Sequence, residues 1–272
     1  MKPSIASFIA LSGAMLLLVA CHDQSAESAS RSVASATPAA DSATAAATRI
    51  DGKWFAYPGQ VDPLERTIDP PKPIPEPPLK PEYLAPWKEH QAKLQEADKK
   101  GEPIASGYTH CLPDGMPAMM MGMFPMEVLE SNGQVTIIQE AYQQIRRIYL
   151  NDKIPHWQDA EPRFWGHSAG HWEGDTLVTE TVGIKENVLF RNVPHSAAMH
   201  IDERIHLIDK DHMVDEVTVT DPDYLTAPWQ WTWMYARHSG YKMYEYVCEN
   251  NREFADPDTG AARLKLFGPD SK

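Results

Sequence analysis

The chain has 272 residues, of which 42 % are apolar and 23 % charged, and its formal net charge is −13. That length supports one sizeable domain with appendages, and the apolar share is ordinary for a packed core. With 25 Lys and Arg against 38 Asp and Glu, and no basic run, the composition excludes nucleic acid and anionic lipid surfaces as partners, since both need clustered cations.

Residues 1–20 read as a leader. Lys2 supplies a short positive start, and residues 5–19 are apolar with Ser and Gly interruptions. The run is shorter than the about 20 residues that span a bilayer, and it has the character of a signal-peptide core. It ends in Leu18-Val19-Ala20-Cys21, which resembles the bacterial lipobox. The resemblance implies cleavage before Cys21, acylation of that cysteine with palmitate-type chains, and membrane attachment through the lipid anchor alone. His22 stands where an Asp retains such proteins in the inner membrane, which implies an outer-membrane lipoprotein facing the periplasm. Cys111 and Cys248 then remain, and two thiols in an oxidising compartment are expected to form a disulfide.

Residues 21–48 are mostly Ala, Ser and Thr and read as a flexible tether. Residues 49–106 are expected to form a proline-rich strap and one short helix. Asp69-Pro70-Pro71-Lys72-Pro73-Ile74-Pro75-Glu76-Pro77-Pro78 favours polyproline II. The large side chains of Trp54, Phe55 and Tyr57 would dock the strap on the domain. The helix is expected over 87–100, with Pro86 at an early position and Gly101 and Pro103 as stops.

From 107 to 255 the hydrophobic period changes to two. Strands are expected at 135–138, 144–150, 165–172, 176–182, 201–208, 214–220, 229–237 and 241–247. Turn signals separate them at Asn132-Gly133, Gly174-Asp175, Asp209-Lys210-Asp211 and Ser239-Gly240. Such spacing without intervening helices indicates a mainly β fold, a single antiparallel meander that hides its edges by closing into a barrel, with a sandwich as the alternative. Residues 256–272 are left as a tail.

Alternation places Trp229, Trp231, Trp233 and Tyr235 on one face of their strand. Such a wall suits a flat apolar ligand, and it equally suits a filled core. Glu180, mid-strand in a Val/Thr run, is a candidate to join that ligand site. His195, His200, Glu203 and Arg204 form a candidate catalytic set, in which a histidine would move protons and an inward Glu–Arg pair would anchor a substrate carboxylate. His167 and His171 share a strand face about 13 Å apart, too far to ligate one ion without irregular backbone. Met116, Met119, Met120, Met121, Met123 and Met126 beside His110 could bind Cu(I), though adaptable apolar packing accounts for them as well. No nucleophile elbow, phosphate loop or metal signature is present, so no motif requires a cofactor or a metal.

Cys111-Leu112-Pro113-Asp114-Gly115-Met116-Pro117, Arg146-Arg147-Ile148-Tyr149-Leu150, residues 164–178 and Tyr246-Val247-Cys248-Glu249-Asn250-Asn251 resemble a family of secreted proteobacterial and acidobacterial proteins. Trp172-Glu173-Gly174-Asp175-Thr176-Leu177-Val178 is its most specific part. The resemblance implies secretion and brings no activity with it. The strand order is also similar to lipocalin-type barrels. Together these readings point to a lipid-anchored barrel that binds an apolar, aromatic or terpenoid-like small molecule. The alternatives are an enzyme on the same barrel (lyase, isomerase or hydrolase) and a metal-binding periplasmic lipoprotein.

Overall fold

The computed structural model describes residues 50–248 except for positions 60, 102, 103, 105–110, 123 and 132, together with 253–255, 258 and 262–264. The leader, Cys21 and the tether lie outside the described residues, as do His110, Met123, Glu249 and most of the tail.

Nine strands close into one barrel in chain order. They are β1 (Gly52–Ala56), β2 (Met126–Ser131), β3 (Gln134–Gln139), β4 (Gln144–Leu150), β5 (His167–Glu173), β6 (Thr176–Val182), β7 (His200–Leu207), β8 (His212–Thr220) and β9 (Trp229–Arg237). A separate ribbon pairs β10 (Glu253–Ala255) with β11 (Ala262–Leu264). Period-two alternation makes the barrel wall: in β9 the four aromatics at 229, 231, 233 and 235 are buried while Gln230 is exposed. The family-like stretch 172–178 forms the β5–β6 hairpin. Its two-residue turn needs a positive φ, which Gly174 supplies at 61° without steric cost.

Four sequence expectations change. Trp54 and Phe55 do not belong to a strap: they lie in β1, which pairs with both β2 and β9 and closes the ring. Five residues with one fully buried side chain are too few for alternation to show. β2 likewise escapes, since it starts at Met126, the last residue of the methionine-rich run. The meander is not wholly antiparallel, because β4 and β5 run parallel and pair only over Ile148–Leu150 and 168–170. Residues 241–247 form no strand; Tyr241 and Tyr244 instead bond Glu140 Oε2 at 2.7 and 2.8 Å and lead the chain to Cys248. That cysteine is bridged to Cys111, with an S–S distance of 1.99 Å.

The helix α1 (Pro81–Lys99) begins a turn and a half earlier than expected, with Pro81 in its first turn and Pro86 inside it. Tyr83, Leu84, Trp87 and Gln91 form its half-buried stripe. The proline-rich strap crosses the outer face of β7–β9, and at the loop between β8 and β9 Leu79 bridges Leu225 and Thr226 N donates to Pro78 O at 2.8 Å. At the barrel end where β9 starts, a 3₁₀ turn (Ala118–Met121) enters the ring. There Gln139 Nε2 donates to Met119 O at 2.8 Å, and the Tyr235 hydroxyl donates to Met120 O. Met116, Met119 and Met120 are fully buried in the core, the adaptable packing role.

Candidate functional site

The inner faces of β4 to β8 bring a polar layer to the middle of the barrel. Arg146 (β4) is 1 % exposed and Glu203 (β7) 0 %. The guanidinium donates from Nη1 to Glu203 Oε1 at 2.9 Å and from Nη2 to Oε2, the two-pronged geometry that suits a carboxylate. Its remaining donors reach Ser168 Oγ at 3.2 Å and Thr181 Oγ1 at 3.0 Å, and Thr179 Oγ1 donates to Glu203 Oε2 at 2.8 Å. The two buried charges are therefore paired with each other, and four of the five guanidinium N–H groups have an acceptor.

Asp215 (β8), also fully buried, faces Glu203. Burial first, and the Glu203 charge second, push its carboxyl well above the usual range, which favours the protonated form. No described donor reaches either of its oxygens. Burial likewise raises the Tyr235 phenol well above its ordinary value, with the neighbouring carboxyls Asp215 and Glu203 adding to the effect wherever they are ionised.

Above this layer stand the indoles. Trp229–Trp231 and Trp231–Trp233 ring centroids are 4.8 and 5.4 Å apart. Phe190, on the β6–β7 loop, packs against all three at 5.6, 5.3 and 5.8 Å. Trp229 Nε1 donates to Pro75 O of the strap at 3.0 Å. Trp231 and Trp233 Nε1 are buried with no acceptor among the described residues, although Trp233 and Asp215 are cross-strand partners. A cavity of about 20 Å³ lies beside Trp229, Phe190, Val188, His195 and Met199, enough for one water. The aromatic wall is thus internal, and Phe190 fills the place where sequence reasoning put a ligand.

The expected catalytic set does not assemble. Residues 200, 202 and 204 face outward on β7 while 201, 203 and 205 face inward. Arg204 is therefore on the surface, bonded to Glu173 Oε2 at 2.9 Å, and the inward guanidinium beside Glu203 is that of Arg146. His195 is buried at the barrel mouth, both ring nitrogens 3.0 Å from carbonyl oxygens of Ser196 and Val188. Glu180 lies on the outer face, away from the indoles, for the same reason of parity. It meets His200 and Asp202 there, each offering one ligand atom with all three within 4.8 Å of one another. Asp202 accepts from His200 Nε2 at 3.2 Å and raises the histidine's proton affinity. This donor set could hold a borderline divalent cation. His167 and His171 do not converge: one bonds Glu161 O at 2.8 Å, the other Glu173 Oε1 at 3.3 Å.

Arg146, Asp215 and Phe190 escaped sequence reasoning. Asp215 had a legible signal, since Met213 and Val217 share its face of the strand, whereas Arg146 stands beside Arg147 with nothing local to separate them. Phe190 had none, being a loop residue whose place is set by packing.

No protein-family model matches the chain, and no curated protein matches it. Among solved structures it is similar to a mutant of the fluorescent protein UnaG, at 14 % identity over 42 % of this chain and 70 % of that one, with a TM-score of 0.27.

Proposed function

We propose that the barrel binds a small apolar molecule, aromatic or terpenoid-like and bearing one hydrogen-bonding group, in the chamber that Phe190 occupies. The observation that carries this reading is the pair of buried indole N–H groups of Trp231 and Trp233 without an acceptor among the described residues. A buried donor left unpaired costs about 1–3 kcal/mol, and a ligand acceptor that reaches either N–H would remove that cost there. Three indoles supply apolar walls. Phe190 belongs to a loop, so its ring can give way to a ligand ring without breaking a strand ladder.

The test is titration with β-ionone, a cyclic terpenoid ketone, followed by tryptophan fluorescence. Saturable quenching is expected, and Trp231→Phe, which keeps a ring but loses the donor, should weaken binding about tenfold, or about 1.4 kcal/mol. Absence of saturable quenching in both wild-type and Phe190→Ala protein, with a crystallographic water bridging the two N–H groups, overturns the reading.

The placement we propose is a lipoprotein anchored at Cys21 to the outer membrane and facing the periplasm. Leu18-Val19-Ala20-Cys21 supports it, and so does the Cys111–Cys248 bridge, which suits an oxidising compartment. Cys21→Ser should move the protein from the membrane to the soluble fraction; unchanged membrane retention would exclude this anchor.

A further inference from the structure

The barrel wall is incomplete between β4 and β5. Their ladder spans three residues on each strand, so the edge of β4 before Ile148 has no partner from β5. The splayed strands leave a cleft of about 380 Å³, bordered by Arg146 and Ser168 of the polar layer and by the 152–155 and 163–167 segments. That volume lies in the range of small-molecule sites, about 300–1,000 Å³.

The walls of this cleft are unusual for so acidic a chain. Arg147, Lys153 and Arg163 line it against one carboxylate, Asp152, which already accepts from Lys153 N at 3.0 Å. Neither the Arg147 guanidinium nor the Lys153 ammonium forms an ion pair with a described residue, while Arg163 holds Glu161 at 3.0 Å on the exposed rim. On the outer face of β4, Arg147 stands between Ile145 and Tyr149, which are 37 % and 48 % exposed. Across the gap lies Trp165, whose Nε1 is already taken by Gln144 Oε1 at 3.3 Å, so the indole offers the site no free donor. Unpaired cations flanked by apolar and aromatic surface in a concave site concentrate the field on a ligand of opposite charge. A guanidinium adds two-pronged recognition of a carboxylate.

We propose that the β4–β5 cleft is a binding site for a small organic anion, a carboxylate on an aromatic or apolar body, held by Arg147 and Lys153. The site is separate from the Phe190 chamber and does not depend on it.

The experiment is calorimetric titration of the full chain with 1-naphthoate and, in parallel, with its uncharged methyl ester. Naphthoate should bind saturably, the ester at least tenfold more weakly, and added salt should weaken naphthoate binding. Arg147→Gln and Lys153→Gln should each raise the naphthoate dissociation constant severalfold, and together at least tenfold. Both side chains are exposed, so the variants should fold, which circular dichroism checks. Lys88→Gln, on α1, should change nothing. Equal affinity for acid and ester, or wild-type affinity in the double variant, overturns the proposal. If Trp231→Phe abolishes naphthoate binding while the double variant does not, the anion is entering the aromatic chamber: this site is then wrong and the chamber reading survives.

Discussion

Taking a guanidinium and a carboxylate out of water costs several kcal/mol per ion, and only close pairing with every remaining donor satisfied offsets it. Arg146 and Glu203 approach that condition through Ser168, Thr179 and Thr181, which leave one guanidinium N–H without an acceptor among these contacts. Asp215 is the third member, and its raised carboxyl favours the neutral form, which burial tolerates. Its carboxyl is held well above its ordinary 3.8 by burial and by Glu203. The folded protein thus keeps a proton that the unfolded chain releases. Stability from this residue is fully present below the unfolded value and is lost as pH rises toward the folded one, at up to about 1.4 kcal/mol per unit. Asp215→Asn removes that loss. Denaturant midpoints should therefore show the variant gaining on wild type as pH rises above the ordinary aspartate value. A difference that stays flat with pH would mean that Asp215 is ionised in the fold.

The β6–β7 loop decides what the aromatic wall touches. Two of its residues, Arg191 and Asn192, hold left-handed φ values of 53° and 58°, a conformation that costs a non-glycine residue free energy. The loop is pinned in that shape from outside: Trp87 Nε1 and Gln91 Nε2 of α1 both donate to Arg191 O at 3.1 Å, and Arg191 Nη1 donates to Ile74 O of the strap at 3.2 Å. Helix and strap together press Phe190 onto three indoles. Phe190→Ala should lower stability by about 3–5 kcal/mol, the scale of deleting a buried aromatic ring. Added β-ionone should raise the melting temperature of this variant more than that of wild type. An equal shift in both would show that the ring does not occupy the ligand's place. None of this was legible in residues 183–199, which carry no period.

At the scale of the molecule, closure rests on a short strand and a long covalent tie. β1 joins β9 to β2 with five residues. The disulfide links residues 137 positions apart, from the segment before β2 to the chain after β9. On the chain-entropy account a loop of that length contributes about 4–5 kcal/mol. Reduction, or replacement of both cysteines by alanine, should lower the unfolding free energy by about that amount and leave the β circular dichroism signal intact below the transition. An unchanged denaturant midpoint would show that the bridge does not constrain the unfolded chain.

Alternation alone identified β3, β4, β6, β7, β8 and β9, because side chains of neighbouring residues on a strand must point to opposite faces. Cysteine number and the leader pattern likewise pointed to the bridge before any fold was known. What parity leaves open is which face is inside, and Arg146-Arg147 and Glu203-Arg204 show the consequence. In each pair one side chain is buried and the other exposed, and nothing local distinguishes them. Only closing the ring sets the choice, since it brings β4, β7 and β8 within reach across an interior that no two of those strands form alone. The same closure turned the indole wall inward, set Phe190 against it, and left β4 and β5 parted beyond a three-residue parallel ladder.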